Sequence, residues 1–185
     1  MVYKVELLNK EKWKNYILDN GYRSEEYYDV ELSEDSLHNV NLKLTRKKTT
    51  NPIVHTSEEY DFPDKPYQDH FPDAKAYGVL ENEKLIGVIE VNEEKWSNRL
   101  RVTELYVDKD YRRRGIATCL MNFAKDIAKA NNNRAIILET QTCNVNAIDF
   151  YHSQGFLFDG IETTCYNNDY IKRKEVRLEL VYFIK

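Results

Sequence analysis

The segment Asp110-Tyr111-Arg112-Arg113-Arg114-Gly115-Ile116-Ala117 has the residue types and spacing to hold an anion. Three arginines lead into a glycine, and the apolar spacing after it starts a helix. The first N–H groups of a helix have no partner inside it and lie at the positive end of its dipole, so they can take phosphate oxygens. A glycine at the entry lets the backbone approach such a ligand closely. Alone, the run reads more readily as a solvated basic turn capping a helix. Cys143 is the second chemically able residue, but a cysteine nucleophile needs a base, and His152 is the only histidine near it in sequence. Cys143 therefore reads as a structural thiol.

These residues need elements to carry them. Leu100–Val107 reads as a strand leading into the basic turn, and Ile116, Leu120, Phe123, Ala124 and Ile127 recur at helical spacing through Gly115–Ala130. Ala135–Glu139 is a short apolar strand of the buried, parallel type. Asn144 can cap a helix to about Ser153, closed by Gly155. Ahead of this block, Ala76–Glu81 and Leu85–Val91 read as a hairpin; after it, Phe156–Tyr166 and Glu175–Ile184 read as two terminal strands. The strand–helix–strand–helix middle calls for a right-handed crossover, with ligands expected beyond the strand ends. Residues 1–75 are polar and acidic. They hold an amphipathic stretch at Glu11–Asn20, a half-buried strand around Val40, Leu42 and Leu44, and a long irregular stretch over Thr49–Asp73 containing all four prolines.

Composition narrows the function. Of 185 residues, 31 are acidic and 27 basic, a net charge of −4, so no electrostatic recruitment of nucleic acid is expected. No apolar run approaches 20 residues, and Met1–Lys10 alternates charged and apolar residues unlike a signal peptide. Three cysteines without metal-ligand spacing suggest reduced thiols in the cytoplasm and no metal.

Arg112-x-x-Gly115-x-Ala117 after Leu105-Tyr106-Val107-Asp108 resembles the first signature of the GNAT acetyltransferases. Asn144-x-x-Ala147-x-x-Phe150-Tyr151-x-x-x-Gly155-Phe156 resembles their second motif. The resemblance covers residues 76–185 well. It implies an α/β GNAT fold: a mixed, mostly antiparallel central sheet, split at a V-shaped acetyl-CoA cleft and flanked by helices. Residues 1–185 would form one such domain, with 1–75 as a substrate-side elaboration and 76–185 as the acetyl-CoA-binding core.

The resemblance also implies roles. The pyrophosphate of acetyl-CoA would lie on the backbone N–H groups of Arg113, Arg114, Gly115, Ile116 and Ala117, with Arg112 beside them. The pantetheine arm would run along Leu105 and Val107, with Asn144 reaching it from the opposite helix. A bulge in that strand would re-aim an N–H at the thioester carbonyl. Tyr151 would be the general acid. Glu139 would be the base, acting through water, with Glu104 as the other candidate or as a holder of the cationic substrate. Leu138-Glu139-Thr140-Gln141, Phe150-Tyr151-His152, Tyr166 with Asn167 and Asn168, and Pro66-Tyr67-Gln68-Asp69 resemble the streptothricin (nourseothricin) acetyltransferases in particular, which places Tyr67 on the substrate side. That implies a small cationic amine as acceptor and antibiotic resistance as the outcome. The acidic clusters Ser24–Asp35 and Ser57–Asp64 could attract it, or be solvated loops. Acetylation of protein N-termini or of another small amine, and a non-catalytic acetyl-CoA-binding module, are the alternatives. Relatives also imply a possible homodimer through terminal strands.

Overall fold

The computed structural model describes residues 3–36, 39–57, 63–165 and 170–185. In chain order its elements are β1 (Glu6–Leu7), α1 (Lys10–Trp13), β2 (Tyr22–Ser36), β3 (Asn39–His55), β4 (Lys75–Glu81), β5 (Lys84–Glu94) and β6 (Arg99–Val107). A 3₁₀ turn (Lys109–Tyr111) follows, then α2 (Ile116–Ala130), β7 (Ala135–Gln141), α3 (Val145–Ser153), β8 (Leu157–Glu162), α4 (Tyr170–Arg173) and β9 (Arg177–Phe183). They form two compact units: Met1–Asn20 with Thr56–Leu138 and Val181–Lys185, and Gly21–His55 with Glu139–Leu180.

In the first unit the strands pair in the order β1-β4-β5-β6-β7. All pairs are antiparallel except β6 with β7, which is parallel as the crossover requires. The fold is therefore the expected α/β type with a mixed, mostly antiparallel, open sheet. β5 is buried from Leu85 to Val91, which explains its nearly unbroken apolar run. The turn before it sets Asn82 and Glu83 at φ 49° and 66°, the paired positive angles of a tight hairpin. α2 buries Ile116, Leu120, Met121, Ala124 and Ala128 along one face. A Cβ at Gly87 would stand 2.6 Å from the Ile116 side chain, so this glycine lets the start of α2 sit close on β5. Trp13, Leu18, Tyr67, Leu85, Val88 and Tyr106 form a core cluster in the same unit.

The second unit is built on a long hairpin, β2 with β3, that sequence patterning does not reveal as a pair. Val30 packs on Val176, Leu44, Ile161 and Cys165, and Tyr28 N–H donates to the Thr142 carbonyl at 2.9 Å. Arg46 joins the hairpin to α3 by contacting Glu26 and Asp149, and these hydrogen bonds hold its guanidinium well above its ordinary pKa. The remaining strands of this unit follow the order β7-β9-β8.

Several expected boundaries change. The irregular stretch begins at Thr56, because Thr49–His55 belong to β3; Pro52 sits where the β2–β3 ladder is interrupted, the place a strand tolerates a residue without an N–H. The helix expected over Glu11–Asn20 is only Lys10–Trp13, capped by Asn9. The acidic stretch from Ser24 is strand rather than loop. The terminal strands are shorter, Leu157–Glu162 and Arg177–Phe183. Tyr166, Asn167, Asn168 and residues 58–62 of the second acidic cluster lie outside the described residues.

Candidate active site

In the first unit, the basic turn leads directly into α2. Gly115 caps α2 at φ 83° with no side-chain cap, so the first-turn N–H groups stay available. Arg113 is also left-handed at φ 64°, and nothing lies within 4 Å of the point a Gly115 Cβ would occupy. The turn is braced from below. Arg112 Nε donates to the Val107 carbonyl at 3.1 Å, and Arg114 donates to the Asp110 carbonyl at 2.8 Å while its guanidinium lies over the Tyr111 ring. Asp108 accepts from the Asp110 N–H and pairs with Lys84 at 2.8 Å; its hydrogen bond to Lys84 holds its carboxyl below the ordinary range. Arg112 to Gly115 are exposed, Ile116 is buried and Ala117 half-buried.

The strand feeding this turn is irregular. β6 pairs with β7 in parallel from Arg99 to Arg101, and Leu105 and Val107 further along β6 are half-buried. On the other edge Glu90 faces Glu104 while the next pair is Val91 with Val102, so Thr103 is an extra residue and the strand bulges there. Its hydroxyl donates to Glu90 Oε1 at 2.8 Å, and the Tyr67 N–H donates to Glu90 Oε2 at 2.5 Å. Glu104 stands 3.5 Å from the Asn20 amide, which also donates to Asp64 at 2.9 Å. Burial raises the carboxyl pKa of both Asp64 and Glu90. It also pushes the Tyr106 hydroxyl up to about 12. Tyr67, taken as a substrate contact, is itself buried and donates its hydroxyl to the Leu8 carbonyl. Its main chain, at φ 62°, shapes the loop.

The second unit carries the other named residues. Asn144 caps α3, accepting from the Ala147 N–H at 3.3 Å. Tyr151 is buried on α3, its ring edge-on to Phe150 and tilted against Phe156. Glu139 is paired with Arg177, which also reaches Glu179, Glu162 and the Cys165 sulfur. Cys143 has a histidine neighbour, but it is His55 at 3.7 Å, not His152, whose Nδ1 meets the Phe156 carbonyl. His55 Nε2 also meets Glu175 at 3.3 Å, so thiol and carboxylate share one ring nitrogen instead of flanking the ring as a nucleophile relay requires. Cys143 is fully buried, in keeping with a structural thiol.

Glu90, Thr103, Asn20, Arg177 and His55 do not announce themselves in the sequence. Only Glu90 carries a signal, as the single charge in the apolar run Leu85–Val91. Among the described residues no three His, Cys, Asp or Glu are placed to hold a metal, and no helix is long and apolar enough to cross a membrane.

The profile of the acetyltransferase (GNAT) family matches residues 43–156. Streptothricin acetyltransferase A of Bacillus subtilis (strain 168) is 31% identical over 124 residues, 67% of this chain and 70% of the relative. A streptothricin acetyltransferase of Escherichia coli is 27% identical over 163 residues, 88% of this chain and 86% of the relative. Among solved structures, nourseothricin acetyltransferase matches with TM-score 0.80 and 21% identity over 100% of both chains. A Bacillus anthracis str. Ames protein described as a streptothricin acetyltransferase, in complex with acetyl coenzyme A, matches with TM-score 0.75 and 23% identity over 100% of this chain and 99% of that one. At such identities the structural likeness speaks for the fold.

Proposed function

Because this chain belongs to the acetyltransferase (GNAT) family, we propose that it transfers the acetyl group of acetyl-CoA to a primary amine of a small cationic acceptor, a streptothricin-type antibiotic in particular. The observation that carries this reading is the extent of the sequence likeness, which spans most of the E. coli streptothricin enzyme and most of this chain. The helix start at Gly115, without a side-chain cap, and the bulge of β6 suit the cosubstrate. Residues 76–185 would serve acetyl-CoA and residues 1–75 the acceptor side, in an enzyme of the cytoplasm.

Acetyl-CoA supplies a thioester-activated acetyl group; the protein supplies position and proton transfer. The N–H groups from Arg113 to Ala117 hold the pyrophosphate. The main chain at Leu105 and Val107 lines the pantetheine arm, with Asn144 reaching it too. An N–H at the bulge polarises the thioester carbonyl. Tyr151 gives its hydroxyl proton to the departing sulfur as the amine nitrogen bonds to the acetyl carbon. Glu139, held by Arg177, takes the amine proton through water, and Glu104, steadied by Asn20, holds the cationic acceptor. Tyr67 acts on the acceptor side through the loop it anchors.

The test is a panel that follows CoA release with streptothricin, polyamines, aminoglycosides and N-terminal peptides, beside growth of a sensitive bacterium on nourseothricin. Fastest turnover on streptothricin with protection of the host is the expected result. Faster peptide acetylation without protection would replace this acceptor with protein N-termini.

A further inference from the structure

We propose that Glu90 is a positioning residue for acetyl transfer: its one buried carboxylate sets both the bulge of β6 at Thr103 and the acceptor-side loop at Tyr67. The inference rests on the acetyltransferase reading above and adds a residue outside both signature motifs. Glu90 is 0% exposed and sits in the middle of β5, where an apolar side chain would otherwise continue the core. An isolated buried carboxylate is costly, so its retention in the core calls for the bonds it makes. There are two, one on each oxygen: the Thr103 hydroxyl on Oε1 and the Tyr67 N–H on Oε2.

Those donors belong to the two pieces of the first unit that must be held in register for the reaction. Thr103 is the unpaired residue of the bulge, and a bulge re-aims the backbone groups beside it. Tyr67 lies in the loop that precedes β4, with its main chain in a left-handed conformation that is uncommon for a bulky side chain. The groups facing Glu90 are consistent with this work. Glu104 is its pairing partner on β6, and the Tyr67 and Thr103 hydrogen bonds, with His70 and Lys10, favour the ionised form. Burial is the largest influence and pushes the carboxyl up. A group chosen for its charge would be poorly placed here; a group chosen for two fixed acceptors is well placed.

The variants separate these roles. Glu90→Gln keeps an acceptor for the Tyr67 N–H and offers its amide to the Thr103 hydroxyl, which can accept. Glu90→Ala loses both ties. Thr103→Val loses only the bulge tie, at nearly constant volume, and keeps the experiment decisive if the alanine variant fails to fold. Steady-state kinetics with acetyl-CoA and streptothricin should show kcat falling roughly 10- to 10²-fold in Thr103→Val, the scale expected of a misplaced reacting group. Glu90→Ala should add a rise in acceptor KM, which a smaller folded fraction does not produce. Glu90→Gln should recover most of the turnover lost in Glu90→Ala. Hydrogen exchange at the Tyr67 amide, which needs no substrate, should be slow in the wild type and in Glu90→Gln and fast in Glu90→Ala. Wild-type kcat and KM in Thr103→Val, or a Glu90→Gln as impaired as Glu90→Ala, would overturn the proposal. If the wild type acetylates no amine in the panel, the acetyltransferase reading falls by itself. The amide exchange then decides the Glu90 tie, and an unprotected Tyr67 amide in the wild type overturns it.

Discussion

A tyrosine hydroxyl can protonate a departing sulfur only if its ring is held still while the oxygen keeps access to the reacting atoms. The Tyr151 ring meets the first condition, buried on α3 with Phe150 and Phe156 at ring-centroid distances of 5.5 and 6.0 Å. Tyr151→Phe removes the oxygen and leaves the aromatic packing. It should lower kcat by roughly 10²–10⁴-fold, the contribution of a general acid. The dissociation constant for acetyl-CoA should stay the same. Stopped-flow turnover and calorimetric binding on the same preparations check this; a phenylalanine enzyme with wild-type kcat would return Tyr151 to packing alone. The residue scale is also where sequence reading reaches least far. Tyr151 is visible because a motif surrounds it, whereas Arg177 is one basic residue in an alternating strand. Its link to Glu139, 38 residues earlier, exists only once the sheet has formed.

At the scale of elements, the helix α2 and the long hairpin behave oppositely. α2 is legible because its signals are local: apolar residues at helical spacing and a glycine at the entry. The hairpin is hidden because both its faces are largely solvated, so the period-2 apolar pattern that marks a strand is missing over most of β3. Its holding contacts join residues far apart, such as Glu31 with Lys43 across the ladder and Arg46 with Asp149 on α3. Read along the chain, these are scattered charges; paired, they are strands. The start of α2 also offers the cleanest test of an element's job. Gly115→Glu places a side chain and a negative charge at this point, where open space of 4 Å receives it. The positive φ makes the substitution cost about 1–2 kcal/mol, so Tm without ligand should fall slightly and the protein should stay folded. Acetyl-CoA, which raises the wild-type Tm by mass action, should leave the variant's Tm unmoved. An undiminished shift in thermal melts with and without acetyl-CoA would remove the pyrophosphate from this helix start.

At the scale of the whole molecule, the carboxylates among the described residues whose values are shifted fall into two classes that act on stability in opposite senses. Asp64 and Glu90 have folded-state values raised by burial. Their contribution is fully present below their ordinary values and is lost as pH rises through the raised ones, so folding takes up protons in that window. Asp69 is lowered by its hydrogen bond to Lys14 and Asp108 by Lys84; Glu94 is lowered because Arg101 and Arg99 outweigh its burial. Those three contribute stability above their ordinary values and lose it as pH falls through the lowered ones. Tyr106, at about 12, stays neutral throughout. Tm should therefore rise as pH falls toward the ordinary carboxylate range, 3.8 to 4.5, and fall on further acidification. The double variant Asp64→Asn with Glu90→Gln should lose the rise and keep the acid fall. Acetyl transfer should follow the reverse course, increasing with pH as more of the acceptor amine sheds its proton. Melting curves and initial rates across one buffer series test both halves. A wild-type Tm that drops steadily as pH falls from neutral toward the ordinary carboxylate range, or a double variant that keeps the rise, would show that the two buried carboxylates do not set the acid side of the stability curve.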